Sequence, residues 1–147
     1  MTSGYKTTVG YWPSNANTML LGTPSPGVGL SGVATHSNGR VFASTGWNHQ
    51  NPDAGPRLIE ISPATGALLN DVGRLQTQAG EDCFVGDLSF EPGTDILYGV
   101  LADQADDGCT WEGDTETGGV LVTINTTTAR VTHALSVTPI QRASSMT

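Results

Sequence analysis

Between Asp103 and Glu116 the chain places six carboxylates in fourteen residues: Asp103, Asp106, Asp107, Glu112, Asp114 and Glu116. Like charges crowded this closely repel one another, and a hard cation that accepts several oxygens would relieve the repulsion. Set against a calcium-binding loop, Asp103, Asp107, Gly108 and Asp114 fall at positions one, five, six and twelve. Position three is Ala105, and position twelve is Asp instead of a bidentate Glu. The expectation is a calcium or similar hard-cation site on Asp103, Asp107 and Asp114, with Asp106 and Glu112 in reserve. The alternative is a solvated acidic surface.

A second loop, Gly46-Trp47-Asn48-His49-Gln50-Asn51-Pro52-Asp53, mixes an aromatic ring with amides and a carboxylate. Trp beside Asn, Gln and Asp suits a carbohydrate or peptide platform, where the ring stacks and the amides hydrogen-bond. Trp47, His49, Asp53 and Trp111 are therefore candidate binding residues; the alternative is a Trp folded back over its own sheet. Signatures of catalysis are missing: no Gly-x-Ser-x-Gly, no phosphate-cradling Gly loop and no His-Glu-x-x-His. Glu81 and Asp82 are adjacent, and neighbours along a strand point to opposite sides, which ill suits a glycosidase pair. His36 and His133 lack a partner nearby in sequence and are assigned no role. Asn125-Thr126-Thr127 is a glycosylation sequon by pattern, meaningful only in a glycosylating secretory host.

These loops need a scaffold, and composition indicates strands. The chain has 147 residues with Gly at 19 and Pro at 8, and no stretch carries apolar residues at helical spacing for three turns. The segment Leu30-Ser31-Gly32-Val33-Ala34 leads through Asn38-Gly39 into Val41-Phe42-Ala43-Ser44. Some 55 residues on, Gly86-Asp87-Leu88-Ser89-Phe90 leads through Pro92-Gly93 into Ile96-Leu97-Tyr98-Gly99-Val100. After each pair come a long polar loop and a third strand, Arg57 to Ile61 or Val120 to Ile124. A turn then gives a fourth strand, Ala67 to Val72 or Arg130 to Val137. Four short strands per unit form a propeller blade. The expected organisation is a partial blade over 5–23, a blade over 28–75 and a blade over 84–138, within one domain or a fragment of a larger one. Two four-stranded sheets could also build a β-sandwich, the competing fold.

The runs "GDLSFEPGTDILYGV" and "LIEISPATGALLNDVGRL" resemble the repeats of bacterial β-propellers of the broad NHL/YVTN type, over roughly Leu30 to Val137. Two departures stand out. Ser62 replaces the usual Asp of the "DPATG" turn, and the second copy reads Asn125 to Ala129 without its Pro and Gly. The resemblance implies architecture and not activity, because such blades carry many functions. About two and a half blades fall short of the roughly four in the smallest closed ring, so the chain is expected to self-associate or to lack blades.

In such a blade, the loop entering the first strand and the loop joining the second and third open on one face. Cys83 and Cys109 sit in those loops, so a disulfide between them is allowed and expected; it suggests an extracytoplasmic or secreted protein. Trp47 and Trp111 should emerge on the same face. The N-terminus shows neither a basic start nor an apolar middle, hence no visible signal peptide. The net charge of −8 argues against nucleic acid, and no apolar run approaches a membrane span. Eleven of the 14 acids lie between Glu81 and Glu116, whereas all 6 basic residues lie outside that window. The functional expectation is a non-catalytic binding or scaffolding module for a protein or carbohydrate ligand. The alternative is a fragment of a hydrolase or lyase whose remaining catalytic groups lie in missing blades.

Overall fold

The computed structural model describes residues 9–11, 19–22, 29–46, 55–101, 109 and 120–134. Among them there is no helix. Ten strands run in order: β1 (Val9–Tyr11), β2 (Met19–Gly22), β3 (Leu30–Thr35), β4 (Val41–Thr45), β5 (Arg57–Ile61), β6 (Leu68–Arg74), β7 (Val85–Phe90), β8 (Leu97–Leu101), β9 (Leu121–Ile124) and β10 (Val131–His133). β1 and β2 form an antiparallel pair. Two four-stranded antiparallel sheets follow, in the orders β3-β4-β5-β6 and β7-β8-β9-β10, each open at its edges.

The repeat extends to the register. In the first sheet Val33 pairs with Ala43 and Thr35 with Val41; in the second Leu88 pairs with Gly99 and Phe90 with Leu97. Each first hairpin carries a register shift at its start, between Leu30 and Gly32 in one copy and Val85 and Asp87 in the other. On the next strands Phe42 faces Glu60 as Tyr98 faces Thr123, and Ser44 faces Leu58 as Val100 faces Leu121. Observed strand ends differ from the expected ones by one or two residues, as at β6, which extends to Arg74. The exception is β10, which ends at His133 where the expected strand ran to Val137, and residues 135–137 lie outside the described ones.

Turn chemistry explains why the repeat survives its two sequence departures. The Ser62 hydroxyl accepts from the backbone N–H groups of Ala64 and Thr65, each at 3.2 Å. In the second copy the Asn125 carboxamide oxygen accepts from Thr127 and Thr128 at 2.8 and 3.1 Å. Serine and asparagine thus nucleate the same turn that aspartate would. The turn closes when Gly66 N–H donates to Ser62 C=O, and its counterpart is Ala129 N–H to Asn125 C=O. Gly66 has φ 72° and Ala129 has φ 59°, so an alanine adopts the left-handed conformation that glycine supplies in the first copy.

The two sheets join along β3 and β7. Gly32 is required there, since a Cβ on it would lie 2.8 Å from Leu88 N and 2.9 Å from Asp87 Cα. Beside it, the buried Ser44 hydroxyl accepts from Gly32 N–H at 3.0 Å and donates to Val85 C=O at 3.1 Å. Behind this line one apolar core spans both sheets, including Phe42, Leu58, Leu88, Leu97, Val122 and Ile124. Each such side chain contributes about 1.5–3 kcal/mol on burial. Ala43, Ile59 and Ile61 are buried on the opposite face of the first sheet.

Candidate functional site

Each sheet has two ends, and the hydrogen bonds define which loops share one. At the turn end, the hairpin after β3 meets the hairpin after β7. Ser37 donates its backbone N–H to Asp95 Oδ1 at 3.1 Å and its hydroxyl to Asp95 Oδ2, while His36 Nε2 stands 3.8 Å from Oδ2. The two Ser37 bonds stabilise the charged carboxylate and hold the Asp95 pKa below its usual value, with His36 adding a smaller attraction. The Phe90 ring meets His36 at 5.1 Å and Phe42 at 5.8 Å, both edge to face. Arg40 lies over Phe42 at 4.9 Å and grips Glu60 through two 2.8 Å bonds. That pairing lowers the Glu60 pKa and raises that of Arg40. His36, given no role from sequence, thus has two neighbours from the distant β7 hairpin, Asp95 and Phe90.

The opposite end carries the stems of both long loops. The first stem leaves at Thr45 and Gly46 and returns at Gly55 and Pro56; Thr45 Oγ1 accepts from Arg57 N–H at 2.9 Å across it. The second leaves at Leu101 and returns at Val120, joined by Leu101 N–H to Val120 C=O at 3.0 Å. The crossover from β6 to β7 ties these stems together. Leu75 N–H donates to Pro56 C=O at 2.8 Å, and Cys83 N–H donates to Leu75 C=O at 2.8 Å. Cys83 in turn forms a disulfide with Cys109, their Cα atoms 4.8 Å apart and both residues buried. A transverse line of bonds therefore runs from the end of the first loop, through the crossover, into the second loop.

Charge is also settled at this end. Arg74 grips Asp82 through its Nε and Nη2, both at 2.9 Å, and Gln76 Nε2 donates to the same carboxylate at 2.9 Å. Arg130 donates to Thr77 C=O, and Val131 N–H donates to Gln76 C=O at 2.9 Å, so the crossover also lies against β10. Sequence reasoning set Asp82 beside Glu81 and missed Arg74, eight residues earlier. A cation followed within ten residues by an acid across a Thr-Gln-Ala-Gly turn was the available signal.

Trp47, His49, Asp53, Asp103, Asp107, Trp111 and Asp114 all lie outside the described residues. The structure places only the stems that carry them. Among the described residues no three His, Cys, Asp or Glu side chains gather as a metal site. No described helix is long and apolar enough to cross a membrane. No protein-family model, curated protein or solved structure matches the chain.

Proposed function

We propose that this chain is a non-catalytic binding module whose sheets are propeller blades, presenting the 47–54 and 102–119 loops on one face to a carbohydrate or peptide ligand. The observation that carries the reading is the run of bonds from Pro56 through Leu75 and Cys83 to Cys109. It holds two loops far apart in sequence at one end of the molecule, which is what a shared ligand surface requires. Trp47 and Trp111 are the stacking groups in this reading, His49 and Asp53 the polar contacts. Asp103, Asp107 and Asp114 order the second loop around calcium. The propeller assignment draws support from the matching four-strand registers and from the joint between β3 and β7, the first strands of the two units. A buried disulfide is compatible with an extracytoplasmic setting.

The test is retention on insoluble polysaccharides (cellulose, chitin and xylan) and on immobilised peptides, with and without millimolar calcium. Wild-type protein is expected to be retained on at least one matrix, and Trp47→Ala and Trp111→Ala should each release it. Retention unaffected by both substitutions sinks the reading, as does no retention on any matrix.

A further inference from the structure

The turn after β9 carries two groups that its fold does not use. Asn125 Oδ1 accepts from the N–H groups of Thr127 and Thr128, Asn125 C=O accepts from Ala129 N–H, and Asn125 N–H donates to Arg130 C=O. Among the described residues, Asn125 Nδ2 and the Thr127 hydroxyl have no hydrogen-bond partner, and both residues are exposed. The first repeat shows that the turn needs neither group. At the three matching positions it has Ser62, Pro63 and Ala64, and the Ser62 hydroxyl takes the two N–H bonds unaided. The second repeat therefore puts an amide where serine suffices, threonine where proline suffices, and a hydroxyl where alanine suffices.

We propose that Asn125 is the acceptor of an N-linked glycan, transferred from a sugar donor carried on a pyrophosphate, and that the first sugar lies in the groove beside Ile96. The chemistry asks for a carboxamide nitrogen on Asn, any residue but Pro next, and a Ser or Thr hydroxyl third. No other asparagine of the chain heads such a triplet. In the transfer, Asn125 Nδ2 bonds to the anomeric carbon of the donor sugar. The bond from that carbon to the pyrophosphate oxygen breaks, the pyrophosphate leaves with the electron pair, and Nδ2 gives up one proton to the transferase. Oδ1 takes no part in the new bond, so the modified side chain keeps its two contacts with Thr127 and Thr128. The turn thus has the same geometry before and after modification.

The surroundings of Asn125 suit a pyranose. It borders a groove of about 430 Å³ that is also lined by Asp95, Ile96, Thr123 and Thr132, a size in the range of small-ligand sites. Ile96 is 42% exposed and offers an apolar surface to the C–H face of the ring. The Thr123 and Thr132 hydroxyls and the Asp95 carboxylate supply polar groups for the sugar hydroxyls. Position agrees with this use. Asn125 follows the last residue of β9, at the turn end, whereas the stems of the 47–54 and 102–119 loops leave from the opposite end. A glycan here covers Ile96 and leaves the loop face open.

This inference rests on the extracytoplasmic reading and not on any ligand of the loops. The test fuses a secretory leader to the full chain in yeast and analyses the secreted protein by mass spectrometry before and after an amidase that removes N-linked glycans. Wild-type protein should carry a glycan on Asn125, and the amidase should leave aspartate in its place. Thr126→Pro restores the proline of the first repeat, so it should keep the turn and the Cys83–Cys109 disulfide yet carry no glycan. Thr127→Ser should keep the glycan and Thr127→Ala should lose it. Hydroxyl-radical footprinting then reads Ile96, whose oxidation should rise severalfold once the glycan is removed. A secreted, disulfide-bonded chain with Asn125 unmodified overturns the proposal, as does a glycan whose removal leaves Ile96 oxidation unchanged. A glycosylated chain with Cys83 and Cys109 both free supports the acceptor and counts against the extracytoplasmic reading alone.

Discussion

Ser44 donates its hydroxyl to the carbonyl of Val85 across 3.1 Å, and this bond crosses from one sheet to the other inside the protein. The same oxygen accepts from Gly32 N–H. Ser44→Ala leaves both backbone groups without that partner in a buried joint, at a cost of about 1–3 kcal/mol. Urea unfolding of the variant should show a lower midpoint with an unchanged slope.

Gly32→Ala is expected to be at least as damaging by a different route. The added methyl meets the backbone of Asp87 and Leu88 at 2.8–2.9 Å, and backbone cannot rotate aside. Overpacking of this kind costs about 1–3 kcal/mol. A melting temperature equal to that of wild type would show that β3 and β7 stand further apart than described.

The Cys83–Cys109 disulfide spans 26 positions and restrains the unfolded chain, which corresponds to about 3 kcal/mol in the entropic model. Non-reducing mass spectrometry of native protein should find both thiols protected. Unfolding in the presence of a dithiol reductant should shift to lower denaturant, and the double Cys→Ser variant should reproduce the shift.

Asp95 titrates below its ordinary value because Ser37 bonds its charged form. A carboxylate with a depressed folded pKa stabilises the protein above the unfolded pKa of about 4, and the contribution disappears as pH falls through the lower folded value. Asp95→Asn should therefore lower the melting temperature at neutral pH, and its gap from wild type should close below about pH 4. A gap that is constant across that range would assign the effect to packing.

Millimolar calcium should raise the melting temperature if Asp103, Asp107 and Asp114 hold the ion, by the mass-action energy of binding to the folded state alone. Asp107→Asn should remove most of the gain. No response to calcium or to a chelator would leave the segment a solvated acidic surface.

The repeat was legible because each strand pair brackets a turn dipeptide, Asn38-Gly39 or Pro92-Gly93, whose backbone preferences act locally. The fourth turn was harder to read. Nothing in the sequence around Ala129 announces a left-handed residue, since that conformation is imposed by the bonds to Asn125 and by burial. The Cys pairing could be read once the loops were assigned to one end. The Asp95–Ser37 clasp joins residues 58 apart in two hairpin tips and has no local signature. Of the candidate site, sequence could locate the stems and the residue types, whereas the direction of Trp47 or Asp107 depends on loop conformations that no periodicity encodes.

Gln76 belongs to the crossover that leaves the first sheet, yet it pairs in parallel with Arg130 beside the last strand of the second. The order of synthesis gives that contact a temporal meaning. The crossover leaves the ribosome more than fifty residues before its partner strand, so its outward edge must wait while β7, β8 and β9 are made. Closing so long a span is entropically slow. The final turn and β10 should then be the last part of the second sheet to gain protection during refolding, and a chain halted before Arg130 would leave that edge bare.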